Sequence, residues 1–316
     1  MSRAQLTSTV EQNTGGAVAP YVAGKNKVIN GDFGIWQRGT SFPASSTGYT
    51  TDRWWNANGS AGTIERSTDV PSGFAYSLFL NGATGVSIGT ALELPATGAP
   101  LFTPGTSVTL SFWAKATTST TITPILYYRN DKFNNTNQSN FTGSGTAINI
   151  TSSWARYSYT YTASTPNSTN TVLSLELSPP STLRITGVQL EAGSVATPFT
   201  TATGTFSGEL QACQRYCWVM GINVDWPGQY YSTSTVYGSV KFPSTMRAVP
   251  SLTVSTAGAI NVFAGGSGRT STAITSDALS TDTGGFGITT PANGTAGWGT
   301  SNRINSGATA TWSAEL

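Results

Sequence analysis

The amino-acid sequence predicts an all-β fold, made of an N-terminal extended arm, a β-sandwich and a smaller C-terminal β-domain. Three observations support this class. Apolar and polar residues alternate in several runs, which is the pattern of strands with one face on a core. Clusters of Gly, Pro, Asn and Ser separate these runs at short intervals, as turns do. Charged residues are only 9% of the 316 residues, and the abundant Thr, Ser, Asn and Gly suit strands, turns and neutral polar surfaces.

Residues 1–24 are predicted to form the extended arm. The segment is polar, contains Gly15, Gly16 and Pro20, and shows no sustained hydrophobic period. A disordered tail has the same composition. The position directly before the first predicted strand favours an arm that becomes ordered when it docks on a neighbouring protein.

Residues 25–203 are predicted to form the sandwich. Three runs alternate with period two, and their apolar positions are Val108, Leu110, Phe112 and Ala114; Tyr157, Tyr159 and Tyr161; and Leu173, Leu175 and Leu177. One apolar face per run is typical of an antiparallel sheet that covers a core. In the run 183–190 the apolar phase slips after Ile185, and Gly187 predicts a β-bulge at that point.

Residues 204–316 are predicted to form the smaller β-domain. Ser207 could cap a short helix over 211–218, because Glu209, Cys213 and Cys217 fall at helical spacing, but a strand there is nearly as well supported. Further along, Val236, Val240 and Phe242 share one face of the alternating run 230–242. The run 308–316 alternates to the last residue, which predicts a strand paired in its sheet.

Five segments of the chain carry a resemblance to known proteins. They are Asn26–Phe33 with Trp36–Gly39; Tyr49–Trp55; Gly187–Gly193 with Ala196–Phe199; Glu209–Tyr216; and Phe242–Pro250. In this order they resemble virion proteins of tailed bacteriophages, of the tail-fibre, receptor-binding and minor structural types. The first segment, Asn-x-x-x-Asn-Gly-x-Phe, is also similar to the opening strand of many carbohydrate-binding modules. The resemblance implies that the sandwich is a jelly roll.

Composition excludes several classes of function. Sixteen Lys and Arg against fourteen Asp and Glu give a net charge of +2, which disfavours nucleic-acid binding through a basic face. The sequence has no histidine, so a Ser-His-Asp triad cannot be built. Two cysteines, Cys213 and Cys217, cannot complete a four-ligand zinc site, and free buried thiols are favoured over a disulfide. No secretory signal and no membrane span is recognisable, and no cofactor is implied.

Aromatic side chains are the candidates for contact with sugar rings, which present apolar C–H faces. The predicted glycan contacts are Trp226, Tyr230, Tyr231, Trp54, Trp55 and Tyr128. Trp226, Tyr230 and Tyr231 are favoured as surface residues because they lie beside a Pro-Gly turn. For any one aromatic residue, packing in a core or between subunits is the stronger alternative.

Two further features are weaker indications. Asp32 and Glu191 lie in the first and last predicted sandwich strands, where modules of this shape often hold a structural calcium. Two carboxylates supply only part of a calcium site, so a turn-stabilising Asp and a solvated Glu are the favoured interpretation. The polar loop 130–140 could bind a ligand, but a mobile tip is the favoured interpretation. Hydrolysis of a glycan needs a paired set of carboxylates, and no motif pairs the acids of this chain, so no enzymatic activity is predicted.

The resemblance implies a bacteriophage virion structural protein that attaches the particle to host-surface glycan. It further implies a homotrimer anchored to other virion proteins through residues 1–24, with a jelly roll over 25–203 and a receptor-binding tip over 204–316. The alternative is a capsid-decoration, collar or baseplate protein with no host-binding role, because protein interfaces would explain the uncharged aromatic faces equally well.

Overall fold

The first half of the chain forms two β-sheets. The computed structural model describes residues 24–58, 61–84, 86–131, 138–178, 182–222 and 224–316. The strands of this half are β1 Ser41–Pro43, β2 Gly48–Tyr49, β3 Trp54–Asn58, β4 Ala61–Ser67, β5 Ser77–Thr84, β6 Ser87–Glu93, β7 Ser107–Ala116, β8 Thr120–Arg129, β9 Ser139–Asn140, β10 Ile148–Ile150, β11 Ala155–Thr162, β12 Val172–Ser178 and β13 Leu183–Ala192. The predicted arm, residues 1–24, lies outside the described residues except for Gly24.

The two sheets share one hydrophobic core. One sheet has the order β1-β4-β5-β13-β7-β11, and the other has the order β10-β8-β12-β6-β3-β2 with β9 paired to β8. The alternating residues of β7 and β12 point between them: Leu110, Phe112, Leu173 and Leu175 are fully buried. Burial of one apolar face from each sheet is what stabilises a sandwich, and the predicted all-β class is confirmed.

The predicted bulge at Gly187 is confirmed. The pairing of β13 with β7 changes register between Thr186 and Gln189, and Gly187 has a φ of +61°. A Cβ at this position would lie 2.6 Å from Cζ of Phe74. Glycine therefore meets two requirements at once, a left-handed backbone and a close contact.

The second half of the chain has one short helix and two further sheets within the described residues. Its elements are α1 Phe206–Gln214, β14 Cys217–Met220, β15 Asp225–Tyr230, β16 Thr235–Lys241, β17 Ser251–Val254, β18 Ile260–Ala264, β19 Ser267–Thr270, β20 Ala273–Asp277, β21 Thr283–Thr289, β22 Gly299–Ile304 and β23 Ala310–Ser313. The smaller sheet has the order β14-β23-β17, and the larger one has the order β19-β18-β22-β15-β16-β21-β20. The larger one is called the distal sheet below.

The predicted helix over 211–218 is wrong in its position. The helix begins at Phe206, and its N-cap is Thr205, whose hydroxyl accepts a hydrogen bond from the backbone N–H of Gly208 at 3.0 Å. The Ser207 cap is therefore incorrect by two residues. Cys217 lies in β14 instead, because its strand pairs with the C-terminal strand β23.

Two other predictions for this half hold with adjusted bounds. The run 230–242 is not one strand: β15 ends at Tyr230, and β16 begins at Thr235. Val236, Val240 and Phe242 are buried as predicted. β23 is the central strand of its sheet and pairs with β14 on one side and β17 on the other.

A second hydrophobic core lies in this half. Its buried members run from Met220 to Ala314, whereas those of the sandwich core run from Val28 to Leu190. The boundaries proposed from the sequence, 25–203 and 204–316, stay predictions. Among the described residues, no helix has the length and apolar character needed to cross a membrane.

Candidate functional site

Polar residues of the first two sequence segments meet Glu315 where the two halves of the chain contact each other. We call Arg38, Asp52, Arg53 and Glu315 the junction cluster. Nη2 of Arg38 lies 2.8 Å from Oε1 of Glu315, and Nη1 of Arg53 bonds its Oε2. Nη2 of Arg53 also donates to the backbone oxygen of Ala91 at 2.6 Å. One carboxylate near the C-terminus thus compensates two buried guanidinium groups.

Burial and neighbouring charges shift the pKa values of the junction cluster in opposite directions. Burial alone would lower the pKa of Arg53, but Glu315 holds that pKa above its ordinary value. Burial raises the pKa of Asp52, although Arg38 and two hydrogen bonds from Gln37 oppose the rise. The guanidinium of Arg53 also stacks on Tyr216, with Cζ 3.5 Å from the ring centroid.

The helix α1 joins the same junction through Glu209. One carboxylate oxygen accepts from the backbone N–H of Asn30 at 2.6 Å, and the other accepts from the backbone N–H of Thr203 at 3.1 Å.

Cys213 and Cys217 are buried and free, as predicted. Burial raises the pKa of the Cys213 thiol well above its ordinary value and that of Cys217 to about 12, which disfavours the reactive thiolate form of both.

Polar and aromatic side chains lie on the face of β8 and β12 opposite the sandwich core. Nη1 of Arg129 bonds Oε1 of Glu176 at 2.8 Å, and its Cζ lies 4.3 Å from the ring centroid of Tyr127. Ser174 is directly opposite Tyr127 in the strand pairing. Tyr127, Arg129 and Ser174 are almost completely buried.

The same face carries an indole group that depends on one glycine. Trp55 is paired with Gly89 of β6. A Cβ at Gly89 would lie 2.8 Å from Cζ2 of Trp55 and 3.0 Å from the backbone oxygen of Leu175. Glycine at this position therefore lets the indole lie against the sheet.

The three predicted glycan contacts in the sandwich are all buried. Trp54 and Tyr128 face the core: Nε1 of Trp54 donates to the backbone oxygen of Asn30 at 3.0 Å, and the hydroxyl of Tyr128 accepts from the backbone N–H of Leu101 at 3.1 Å. Trp55 lies on the opposite face but is also fully buried. None of the three is accessible to a ligand from solution. For these residues the alternative interpretation, packing in the protein interior, is therefore correct.

Only one of the three predicted distal contacts is on the surface. Trp226 is 4% exposed and stacks on Phe286 at 5.0 Å between ring centroids, and Tyr230 is 1% exposed. Both were favoured as surface residues, and this expectation is wrong because they occupy the inward positions of β15. Tyr231 is 75% exposed, and its contact with a glycan stays a prediction.

An exposed aromatic residue that was not predicted lies next to it. Tyr237 of β16 is 42% exposed, and its ring centroid is 5.7 Å from that of Tyr231. The alternation that buries Val236 places Tyr237 on the opposite face, so the strand period contained the signal for it. Tyr237 borders two adjoining depressions in the outer face of the distal sheet, with volumes of about 440 and 330 Å³.

A third depression, of about 610 Å³, lies between the two halves of the chain. Its lining residues are Glu93, Leu94, Pro95, Ala96, Thr97, Asn130, Asp131, Thr171, Val172, Arg247 and Leu316. It therefore includes the first residues of the polar loop 130–140. Residues 132–137 of that loop lie outside the described residues.

The candidate calcium pair, Asp32 and Glu191, is not part of a metal-binding group in the described ranges. Both oxygens of Glu191 bind Thr197, and Oε1 also accepts from the side chain of Gln189 at 2.7 Å. The carboxylate is buried, which contradicts the reading of a solvated Glu. Asp32 accepts from the backbone N–H of Gly34, as a turn-stabilising Asp does. Over the described ranges no three His, Cys, Asp or Glu side chains come together as metal ligands do.

The sequence matches a model of the family described as carbohydrate binding domain over residues 25–182, half of the chain. The chain therefore belongs to this family. Most of the sandwich, including its core strands β3 to β12, lies within the match. No curated protein matches the sequence.

Solved structures with similar regions come from several sources. A xylan-binding domain from Paenibacillus barcinonensis is 14% identical, with 49% of this chain and 94% of that domain covered and a TM-score of 0.31. An N-terminal cellulose-binding domain from Cellulomonas fimi is 17% identical, with 45% and 90% covered and a TM-score of 0.31. The enzymatically active domain of a tailspike protein from bacteriophage CBA120 is 17% identical, with 54% of this chain but only 22% of that chain covered and a TM-score of 0.36.

Proposed function

We propose that this protein is a structural component of a tailed-bacteriophage appendage, a tail fibre or related part, that attaches the particle to glycan on the host surface. The observation that carries the proposal is the carbohydrate binding domain over residues 25–182. The resemblance of the five sequence segments to phage virion proteins supports the location in the virion. Binding without catalysis is proposed, with no cofactor.

The organisation of the chain supports a division of roles. We assign the sandwich, 25–203, to the carbohydrate-binding fold, and 204–316 to a receptor-binding tip with Tyr231 on its surface. Residues 1–24 anchor the chain to other virion proteins, and the assembled unit is a homotrimer. Several copies on one particle would make individually weak glycan contacts effective, because each further contact becomes intramolecular.

The contacts at the junction decide how the proposal is tested. Arg53 and Glu315 are 262 residues apart in sequence and bind each other in a buried position, so separate halves of the chain would each expose an uncompensated charge. The full chain is the appropriate reagent. Fluorescently labelled full chain is applied to an array of bacterial surface polysaccharides, and gold-labelled antibodies locate the protein on the particle.

Two results together support attachment: binding to at least one polysaccharide, abolished by periodate oxidation of that polysaccharide, and gold particles at the tail. Labelling over the capsid lattice with no polysaccharide bound would contradict the proposal and favour a decoration protein. Shortening of the bound polysaccharide during the incubation would contradict the absence of catalysis.

A further inference from the structure

The outer face of the distal sheet contains a trough whose floor is made of glycine. In the strand order β16-β21-β20, Gly285 and Gly287 of β21 lie between two strands that carry side chains on this face. Gly287 is paired with Tyr237 on one side and Thr275 on the other, and Gly285 is paired with Ser239 and Asp277. Adjacent strands are about 4.8 Å apart, so the two walls are about 10 Å apart.

The glycines of the floor are required by their neighbours. A Cβ at Gly285 would overlap the backbone oxygen of Asp277, and a Cβ at Gly287 would lie 2.7 Å from Oγ1 of Thr275. Any larger residue would also fill the trough. Of the two, Gly285 lines the larger depression, together with Tyr237.

The trough has the chemistry of a site for an uncharged sugar. Tyr237 offers an exposed aromatic ring, and Gln229, Ser239 and Asp277 offer an amide, a hydroxyl and a carboxylate, all on exposed residues. Within the described part of the chain, Ser239 and Asp277 make no side-chain hydrogen bond, so their polar atoms can bind sugar hydroxyls. Asp277 is the one charged residue among those that line the larger depression, and it would repel uronic, sialic or sulfated sugars.

The second depression extends the surface past Tyr237. It is lined by Gln229, Tyr230, Tyr231, Tyr237 and Gly297 and shares Gln229 and Tyr237 with the first. The two depressions, of about 440 and 330 Å³, therefore both border the Tyr237 side chain. This arrangement fits a linear oligosaccharide that crosses the β15–β16 hairpin better than it fits a single sugar.

We infer that this trough is a glycan-binding site for an uncharged oligosaccharide, stacked on Tyr237 and hydrogen-bonded by Asp277, Ser239 and Gln229. It is separate from the region of the family match, which ends at residue 182. The inference rests on the proposed function, because it gives the receptor-binding tip a place and a class of ligand.

The test uses the full chain and an array that carries uncharged oligosaccharides of three to six sugars beside uronic-acid and sialylated counterparts. Tyr237→Ala is expected to weaken binding to the uncharged members by about tenfold or more. Tyr237→Phe is expected to retain most of the binding, because it keeps the ring. Asp277→Asn is expected to relax the exclusion of acidic members.

Phe263→Ala is the matched control. Phe263 is exposed to a similar degree, 38% against 42%, and lies on the same outer face of the sheet but outside the trough. It is expected to bind like the unchanged protein. Unaltered binding by Tyr237→Ala, or a preference for acidic members, would overturn the trough while leaving glycan attachment intact. A folded full chain that binds neither the array nor host cells would overturn both.

Discussion

The junction cluster and the outer face of the distal sheet are built from the same groups in opposite environments. At the junction, Glu315 binds Arg38 and Arg53, and all three side chains are at least 87% buried. On the distal sheet, Asp225 binds Arg303 through two hydrogen bonds of 2.7 and 2.8 Å, and both side chains are nearly half exposed. The hydrogen-bond geometry of the two ion pairs is similar, but only the Asp225–Arg303 pair is in contact with solvent.

The aromatic groups show the same contrast. Trp55 is fully buried against Gly89, whereas Tyr237 is 42% exposed beside a trough of glycine. When a buried ion pair loses one partner, the remaining charge has no solvent around it. When an exposed pair loses one partner, water solvates the remaining charge. The junction is therefore expected to determine stability, and the distal face is free to vary in its ligand contacts.

The largest effect is expected at Glu315. Glu315→Gln removes the negative charge that compensates Arg38 and Arg53, and the loss of one partner from a buried ionic group costs about 3–5 kcal/mol. Urea unfolding of the full chain, followed by tryptophan fluorescence, measures the change. Thiol labelling is the companion measurement, because Cys213 and Cys217 lie at the same junction and should react earlier in the variant.

If Glu315→Gln lowers the free energy of unfolding by less than about 1 kcal/mol, the ion pairs of Glu315 contribute no more than ordinary surface ion pairs do. The contrast between the two regions would then not hold. Arg303→Met is the control from the distal face, and it should leave both the unfolding midpoint and the labelling rate unchanged.

The strands of both regions could be predicted from local pattern, but the environment of each side chain could not. Alternation places Leu173 and Leu175 on a core because the period of a strand is a property of the backbone. The same alternation cannot show whether the second face is covered. Trp54 and Trp55 point to opposite faces, and both are buried.

The local sequence pattern predicts the two sites to different extents. The ion pair of Arg53 and Glu315 joins residues 262 positions apart, and no local pattern pairs them. Tyr237, by contrast, follows from the phase of Val236 and Val240 within one strand. Trp226 and Tyr230 were expected beside it on the surface because of the neighbouring turn, but turn residues do not set which way a strand faces.

The second-largest effect is expected at Gly89, under the indole of Trp55. Gly89→Ala would place a methyl group 2.8 Å from Cζ2 of Trp55, and overpacking of this kind costs about 1–3 kcal/mol. Gly299→Ala on the distal sheet is the matched control, because nothing lies within 4 Å of a Cβ there. Thermal unfolding of both variants compares the regions directly, and equal melting temperatures would show that Trp55 adjusts without strain.

A smaller effect is expected for Tyr237→Ala. Substitutions on exposed positions away from buried networks usually change stability by less than about 0.5 kcal/mol, so the variant should unfold at nearly the same urea concentration as the unchanged chain. This result would show that a loss of glycan binding by the same variant comes from the missing ring. A loss above about 1 kcal/mol would mean that Tyr237 supports the sheet through its contact with Tyr231.

The smallest effect is expected for Asp225→Asn, and its dependence on pH tests the contrast most finely. Hydrogen bonds from Arg303 lower the pKa of the Asp225 carboxyl from its ordinary value of 3.8. The folded chain therefore binds this proton less readily than the unfolded chain, so any stabilisation by the pair is present above pH 3.8 and is lost as the pH falls through the lowered value. Because both side chains are in contact with water and salt, that stabilisation should be too small to separate the melting curves of the variant and the unchanged chain at pH 7 or pH 3. A clear difference at pH 7 that shrinks as the pH falls below 3.8 would show that the distal face, like the junction, depends on its charges for stability.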